Sequence, residues 1–419
     1  MKRYSEYKDS GVKWIGEIPG HWKIVRLKFV TENLDYLREP ISAELRERKN
    51  PQYDYYGASG IIDKIDHYNV DDKVLLIGED GANLLMRNLP LVYRAEGKFW
   101  VNNHAHILKT RLNDYSFFAH LLESQDYTLF VTGTAQPKLS QFNLGNVPLP
   151  ISPINEQKIM GKYLDSKVAK IDEYISIAEK KIAALEELKQ TIITEAVTRG
   201  IHKDVPMKDS GVKWIGMIPE HWKIVAIKRF SEIILGKMLD KTNGNEQQYL
   251  CAKDVHFDEI NLTDLKKMYF SPEEQSKYRV RKGDLLVVEG GACGTCAILR
   301  TDVNDIFIQN SIMIVRGDKT KCVNDFIAYS IQALVQKGYT ESVCNKATIM
   351  HFTKEKLGNT LISLPPLPEQ QEIVTYLDSK VANINQLCQA ERSQIEKLKE
   401  YKQRLISDVV TGKVKVTND

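Results

Sequence analysis

Two stretches of the chain carry apolar residues at helical spacing. In the first, Ile171, Tyr174, Ile175, Ala178, Ile182, Leu185, Leu188, Ile192 and Ala196 recur three or four positions apart, with Glu and Lys between them. No Gly or Pro interrupts residues 162–199, Glu156 falls in the expected first turn, and Gly200 is placed to stop the helix. In the second, Ile384, Leu387, Ile395, Leu398, Tyr401, Leu405 and Val409 carry the same stripe, weakened at Glu391, where the first stretch has Ala178. A helix of about 33 residues runs roughly 50 Å at ~1.5 Å per residue. One apolar stripe over that length needs another helix to cover it. The expected interface sets Ile171, Ile182, Leu185 and Ile192 against Ile384, Ile395, Leu398 and Leu405. Elsewhere the apolar runs are short and punctuated by Gly and Asn, which predicts strands over most of 29–150 and 229–363. Short helices are expected at 115–122 and 126–131.

The two helical stretches are copies. Tyr-Leu-Asp-Ser-Lys-Val-Ala stands at 163–169 and again at 376–382. A second repeat lies upstream of each: residues 8–28 and 208–228 differ only at Glu17/Met217, Gly20/Glu220, Arg26/Ala226 and Leu27/Ile227. Repeats are the first thing to establish in a long chain. The upstream repeats are 200 residues apart and the helices 213, so the second interior segment has gained 13 residues. Inside, rhythm is kept but few side chains are. Leu-Leu-Ile-Gly-Glu-Asp-Gly-Ala at 75–82 is answered by Leu-Leu-Val-Val-Glu-Gly-Gly-Ala at 285–292, and Trp-Val-Asn-Asn-His at 100–104 by Phe-Ile-Gln-Asn-Ser at 307–311. An enzyme with two like active sites would keep its catalytic residues in both copies. A reader of two different targets would keep the frame and change the surface. The partition is a first recognition domain at 1–150, a central long helix at 151–200, a second recognition domain at 201–363 and a C-terminal long helix at 364–419. The fold class is α+β: two globular α/β domains separated by two long antiparallel helices forming a coiled coil, in a pseudo-two-fold internal repeat.

Composition narrows the chemistry little. The chain has 419 residues, 42% hydrophobic and 27% charged, with a formal net charge of +3. This is ordinary globular composition for more than one domain, and the charge neither demands nor excludes an anionic partner. No apolar run approaches ~20 residues and the start is polar, so a cytoplasmic protein without a membrane partner is expected. All six cysteines lie in the second half, so neither a disulfide nor a metal belongs to the shared plan. Cys293 and Cys296 have ligand-like spacing, but no second pair completes a zinc set. There is no Asn/Asp-Pro-Pro-Tyr/Phe methylase motif and no P-loop, and the glycines at 290–294 read as a turn. His21 and His221 recur without a recurring acid or nucleophile, which favours packing beside Trp22 and Trp222. His104 and His106 are not matched in the second copy, so a polar contact to a partner or to solvent is preferred to a metal pair.

With the repeats, the junction phrases Val-Thr-Gly-Thr-Ala-Gln-Pro-Lys-Leu at 131–139 and Leu-Pro-Pro-Leu-Pro-Glu-Gln at 364–370 complete a pattern. Over essentially its whole length the chain resembles the specificity (S) subunit of type I restriction-modification systems. The second copy departs at 345–352, where the Gly-Thr-Ala-Gln-Pro-Lys wording is lost. The resemblance implies a non-catalytic subunit that reads a bipartite site on double-stranded DNA, one half per target recognition domain. Its helix pair would set the spacing and dock two methyltransferase (M) subunits, to which restriction (R) subunits join. It implies no cofactor on this chain, with S-adenosylmethionine, ATP and Mg on the partner subunits. Alternatives are a self-sufficient two-lobed DNA-modifying enzyme or a coiled-coil scaffold. Arg or Lys suits guanine, and Asn or Gln suits adenine. By residue type and location the candidate readers are Asn83, Arg87, Asn102, Asn103, His104, Gln136 and Lys138, then Gln309, Asn310, Asn345, Lys346, Thr348, His351 and Lys354.

Overall fold

The computed structural model describes residues 2–42, 44, 51–111, 113–133, 136–202, 204–239, 244, 246–257, 259–344 and 350–416. They form two compact units, residues 1–178 with 393–419, and residues 179–392. Each unit joins one globular domain to a length of both long helices.

In the first unit a six-stranded sheet runs in the order Thr31–Asn33, Ala105–Thr110, Val70–Gly78, Val92–Val101, Tyr53–Gly57, Gly60–Ile65. All its pairings are antiparallel except Tyr53–Gly57 beside Val92–Val101. The second unit repeats this plan in two pieces. Ser231–Leu235, Ile312–Gly317, Leu285–Val288 and Cys296–Ile298 make one sheet; Lys266–Tyr269, Glu246–Leu250 and Ile306–Ile308 make another. The parallel pairing recurs: Tyr55 stands opposite Trp100 in the first copy, and Tyr249 opposite Phe307 in the second. The long strand Val92–Val101 thus corresponds to Cys296–Ile298 plus Ile306–Ile308, split by residues 299–305.

The upstream repeat is a frame in both copies. Tyr7–Asp9 pairs with Glu17–Pro19 as Met207–Asp209 does with Met217–Pro219. Lys23–Arg26 pairs with Pro148–Ile151, and Lys223–Ala226 with Leu361–Leu364, in the same register. Trp22 and Trp222 are fully buried beneath this frame. His21 and His221 do more than pack beside them: their rings meet Glu156 at 2.7 Å and Glu369 at 2.8 Å, carboxylates in the first turns of the long helices. Trp22 Nε1 also donates to Glu156, at 3.0 Å, whereas Trp222 Nε1 has no partner among the described residues.

The central helix spans Ile154–Arg199 and ends at Gly200, whose φ of +78° only glycine adopts without strain. The C-terminal helix spans Leu367–Val410. Each is locked to its own domain by a buried glutamine. The Asp114 N–H donates to Gln157 Oε1 at 2.9 Å, and Gln157 Nε2 donates to the Ser152 carbonyl at 2.8 Å. Val323 N–H and the Pro365 carbonyl make the same bonds to Gln370, at 3.0 and 2.9 Å. About two turns later, Asp165 accepts from His120 (2.8 Å) and Arg94 (2.7 Å), and its counterpart Asp378 from Tyr329 (2.7 Å).

Within the second unit, contacts between the helices run from Lys181–Glu391 to Lys189–Asn385, so one helix number rises as the other falls and the helices are antiparallel. Lys181 satisfies Glu391, the acid that interrupts the second stripe. In the first unit Lys402 bonds Asp172 at 2.6 Å. Positions 172 and 189 correspond to 385 and 402 across the repeat, so the two units make the same contact with its members exchanged. This is the pattern of a self-complementary pairing. Of the expected interface, Ile171, Ile384, Ile395 and Leu405 are buried, while Ile182, Leu185, Ile192 and Leu398 are half-buried. Other stripe members face outward: Tyr174 is 61% exposed, and Leu188, Leu387 and Tyr401 are each 48% exposed. The short helix expected at 115–122 is present as Tyr115–Glu123, but 126–131 is a turn. Asp126 there accepts from the Thr128 N–H at 2.9 Å, a local bond that competes with helix.

Candidate nucleic-acid interface

Three loops converge in each domain, and the backbone joins them identically. In the first, the Glu79 N–H donates to the His104 carbonyl at 2.8 Å, and the Leu139 N–H to the Glu79 carbonyl at 2.7 Å. In the second, Glu289 N–H to Ser311 carbonyl is 2.8 Å and Phe352 N–H to Glu289 carbonyl is 2.7 Å. Isolated bridges Asp80–Lys138 and Gly290–His351 complete the match. Gly81 and Gly291 take up φ of +100° and +83° at the same turn position, which explains why both copies keep glycine there.

The side chains on this common scaffold differ. In the first domain Glu79 accepts from Arg38 and, at 3.1 Å, from Lys138. Burial alone would raise the Glu79 carboxyl; the two cations bring it below its usual range. Asp80 holds the His104 ring at 2.8 Å, with that ring about half exposed. Lys138, His104, Asn103 and Gln136 face solvent around the turn. In the second domain no described side chain donates to the Glu289 carboxylate, though the Cys293 thiol donates to its carbonyl at 3.1 Å. Burial raises its carboxyl, opposed by the nearby His351. The Gly290 position lacks a side chain, and a Cβ there would meet the His351 ring at 3.3 Å.

Several residues chosen by type are already engaged. Asn83 donates to the Leu89 and Pro90 carbonyls and accepts from the Leu89 N–H, bracing its own loop. Arg87 donates to the carbonyls of Glu123 and Gln125, at 3.0 and 2.6 Å. Asn102 is buried and accepts from the His104 N–H at 2.8 Å. Gln309 bonds Asn310 and Ser311, so the 309–311 turn is held from within. His106 is a correction: it is fully buried between Asp35 (2.6 Å) and the Leu139 carbonyl (2.7 Å), and so faces neither solvent nor DNA. Lys354 lies off the turn, in a groove it lines with Lys228, Lys277 and Arg316. Asn345, Lys346 and Thr348 lie outside the described residues. Arg38, Glu79, Asp80 and Glu289 were not among the candidates. The signal for the two glutamates was present, since each follows the aligned strand at the same position.

Among the described residues, no cluster of His, Cys, Asp and Glu is placed to hold a metal ion, and no helix is long and apolar enough to cross a membrane.

Residues 19–187 and 219–397 both match the family described as type I restriction modification DNA specificity domain. A putative type I restriction enzyme specificity subunit of Haemophilus influenzae is 28% identical over 85% of this chain and 86% of its own. The putative MjaX specificity subunit of Methanocaldococcus jannaschii is 23% identical over 98% of each. In three dimensions the chain resembles a solved structure from work on complex assembly and conformational transition of the type I R-M system. That likeness has a TM-score of 0.69 at 18% identity, covering 95% of this chain and 99% of that one.

Proposed function

The chain belongs to the type I restriction modification DNA specificity family, and from that premise we propose that each globular domain reads one half of a bipartite site on double-stranded DNA. It is a specificity subunit, a recognition protein rather than an enzyme, and the family match favours this over a self-contained modifying enzyme or a scaffold. The observation that carries the reading is the pair of convergent loops, alike in backbone and unlike in side chains. Such a frame presents different base-edge contacts at one location, and base-edge contacts carry sequence information.

The helix pair sets the distance between half-sites and docks two methyltransferase subunits. Exposed Tyr174 and Tyr401 flank the Asp172–Lys402 contact, and their repeat equivalents Leu387 and Leu188 flank Asn385–Lys189. One apolar patch presented twice suits two copies of one partner. S-adenosylmethionine belongs to those partners, and ATP with Mg to the restriction subunits that join them. The test is a genome-wide map of methylated adenine in cells with and without this chain. The reading predicts a two-part motif with a constant gap that vanishes with the chain; a map that does not change would contradict it.

A further inference from the structure

We propose that Glu289 is a specificity-determining residue of the second domain, accepting a hydrogen bond from the exocyclic amino group of a base, N4 of cytosine or N6 of adenine, in the major groove. The inference rests on the proposed reading of DNA half-sites and assigns one contact within it.

The argument is a comparison at one position. Glu79 and Glu289 occupy the same place on the same backbone scaffold, each donating its N–H at 2.8 Å and accepting at 2.7 Å through its carbonyl. In the first domain the carboxylate is used internally: Arg38 and Lys138 donate to it, and it is 8% exposed. Its role there is to position Lys138, so this domain offers a cation at the turn. In the second domain no described side chain donates to the Glu289 carboxyl, which is half-buried and only partly hydrated. A carboxylate so placed gains from a donor supplied by a ligand. Phosphates and the guanine edge present acceptors to it, whereas cytosine N4 and adenine N6 present donors. Gly290 carries no side chain where the first domain has Asp80, and the His351 ring lies over it, 3.3 Å from where a Cβ would stand. His351, bridged to Gly290 through the backbone, stands beside the carboxylate to meet a phosphate or a neighbouring base edge.

The experiment uses the full chain assembled with its methyltransferase subunits and a DNA library randomised through both half-sites, with methylation as the readout. The wild-type complex should require an amino-bearing base at one position of the second half-site; cytosine or adenine there distinguishes the two sources. Glu289→Ala should relax that position by roughly tenfold or more and leave the first half-site unchanged, which also shows that the complex is folded. If Glu289→Ala abolishes methylation, Glu289→Lys decides, because it puts donors where the acceptor stood. A changed base preference at that single position supports the assignment, and an unchanged preference overturns it. An unaltered second half-site in Glu289→Ala, or relaxation in the first half-site, also overturns it. A wild-type complex with no preferred sequence would bring down the half-site reading itself, and this inference with it.

Discussion

At the junctions where the long helices leave their domains, the two copies agree down to side-chain atoms. Gln157 and Gln370 each accept one backbone N–H and donate to one backbone carbonyl at corresponding places, and their second donation goes to Asn113 Oδ1 in the first copy and to the Lys321 carbonyl in the second. At the convergent loops the copies agree only in the backbone: the main-chain bonds match to a tenth of an ångström, while Asp80, His104 and Lys138 are replaced by Gly290, Ser311 and His351. The difference separates two tasks. Side chains at the junction hold a helix against a domain, and a change there costs stability. Side chains at the loops are carried by a scaffold that their replacement leaves intact, so they can vary with the target.

The largest effect should come from the shared frame. Trp22→Ala and Trp222→Ala each remove a fully buried indole and should cost about 3–5 kcal/mol in denaturant unfolding. The Phe variants sharpen the comparison. Trp22→Phe removes one of the two bonds to Glu156 Oε2, which keeps the Tyr4 hydroxyl at 3.0 Å, whereas Trp222→Phe removes an indole N–H that has no partner among the described residues, so the first should cost more, by ~0.5–1 kcal/mol.

Next come the junctions. Gln157→Ala takes the glutamine partner from the Asp114 N–H and the Ser152 carbonyl, and Gln370→Ala from the Val323 N–H and the Lys321 and Pro365 carbonyls; each should cost about 2–3 kcal/mol. Equal costs would confirm that the junction is copied in energy as well as geometry; a difference above ~1 kcal/mol would break the comparison.

At the loops the copies should diverge in sign. The Glu79 carboxyl is held low, so its ionised form stabilises the fold above the unfolded value, and that contribution is lost as pH falls through the folded value. The Glu289 carboxyl is held high, so its ionised form is penalised by folding, and acid relieves the penalty. Glu79→Gln should therefore destabilise at pH 7 by ~1–2 kcal/mol, and Glu289→Gln should be neutral or stabilising. The Glu289 difference should shrink between pH 7 and pH 4, and the Glu79 difference only below the usual carboxylate range, which unfolding curves at pH 7, 4 and 3 would measure. The smallest effect belongs to the exposed helix contact. Asp172→Asn copies the second unit into the first and should cost no more than ~0.5 kcal/mol by thermal melting.

Much of this frame was legible because it rests on periodicity and repetition, which survive without coordinates. The central helix begins at Ile154 and stops before Gly200, as the pattern indicates. The apolar stripe is wider than the seam it fills. Tyr174, Leu188, Leu387 and Tyr401 fit helical spacing, yet a single facing helix covers only a narrow seam and leaves them exposed. The loops were legible in location and not in detail. Residue type identifies a side chain able to meet a base, but not whether its amide or guanidinium already serves its own loop, as with Asn83, Arg87, Asn102 and Gln309. Glu79 and Glu289 align in the sequence, but their different surroundings depend on Arg38, which is 41 residues away from Glu79 along the chain.

The central claim is that one frame carries two independent readers. Its most direct test replaces residues 29–150 with the corresponding segment of another family member and maps the methylated site of the assembled complex. The account predicts a new first half-site with the second half-site and the gap unchanged. An unchanged first half-site, or a simultaneous change in the second, would contradict it.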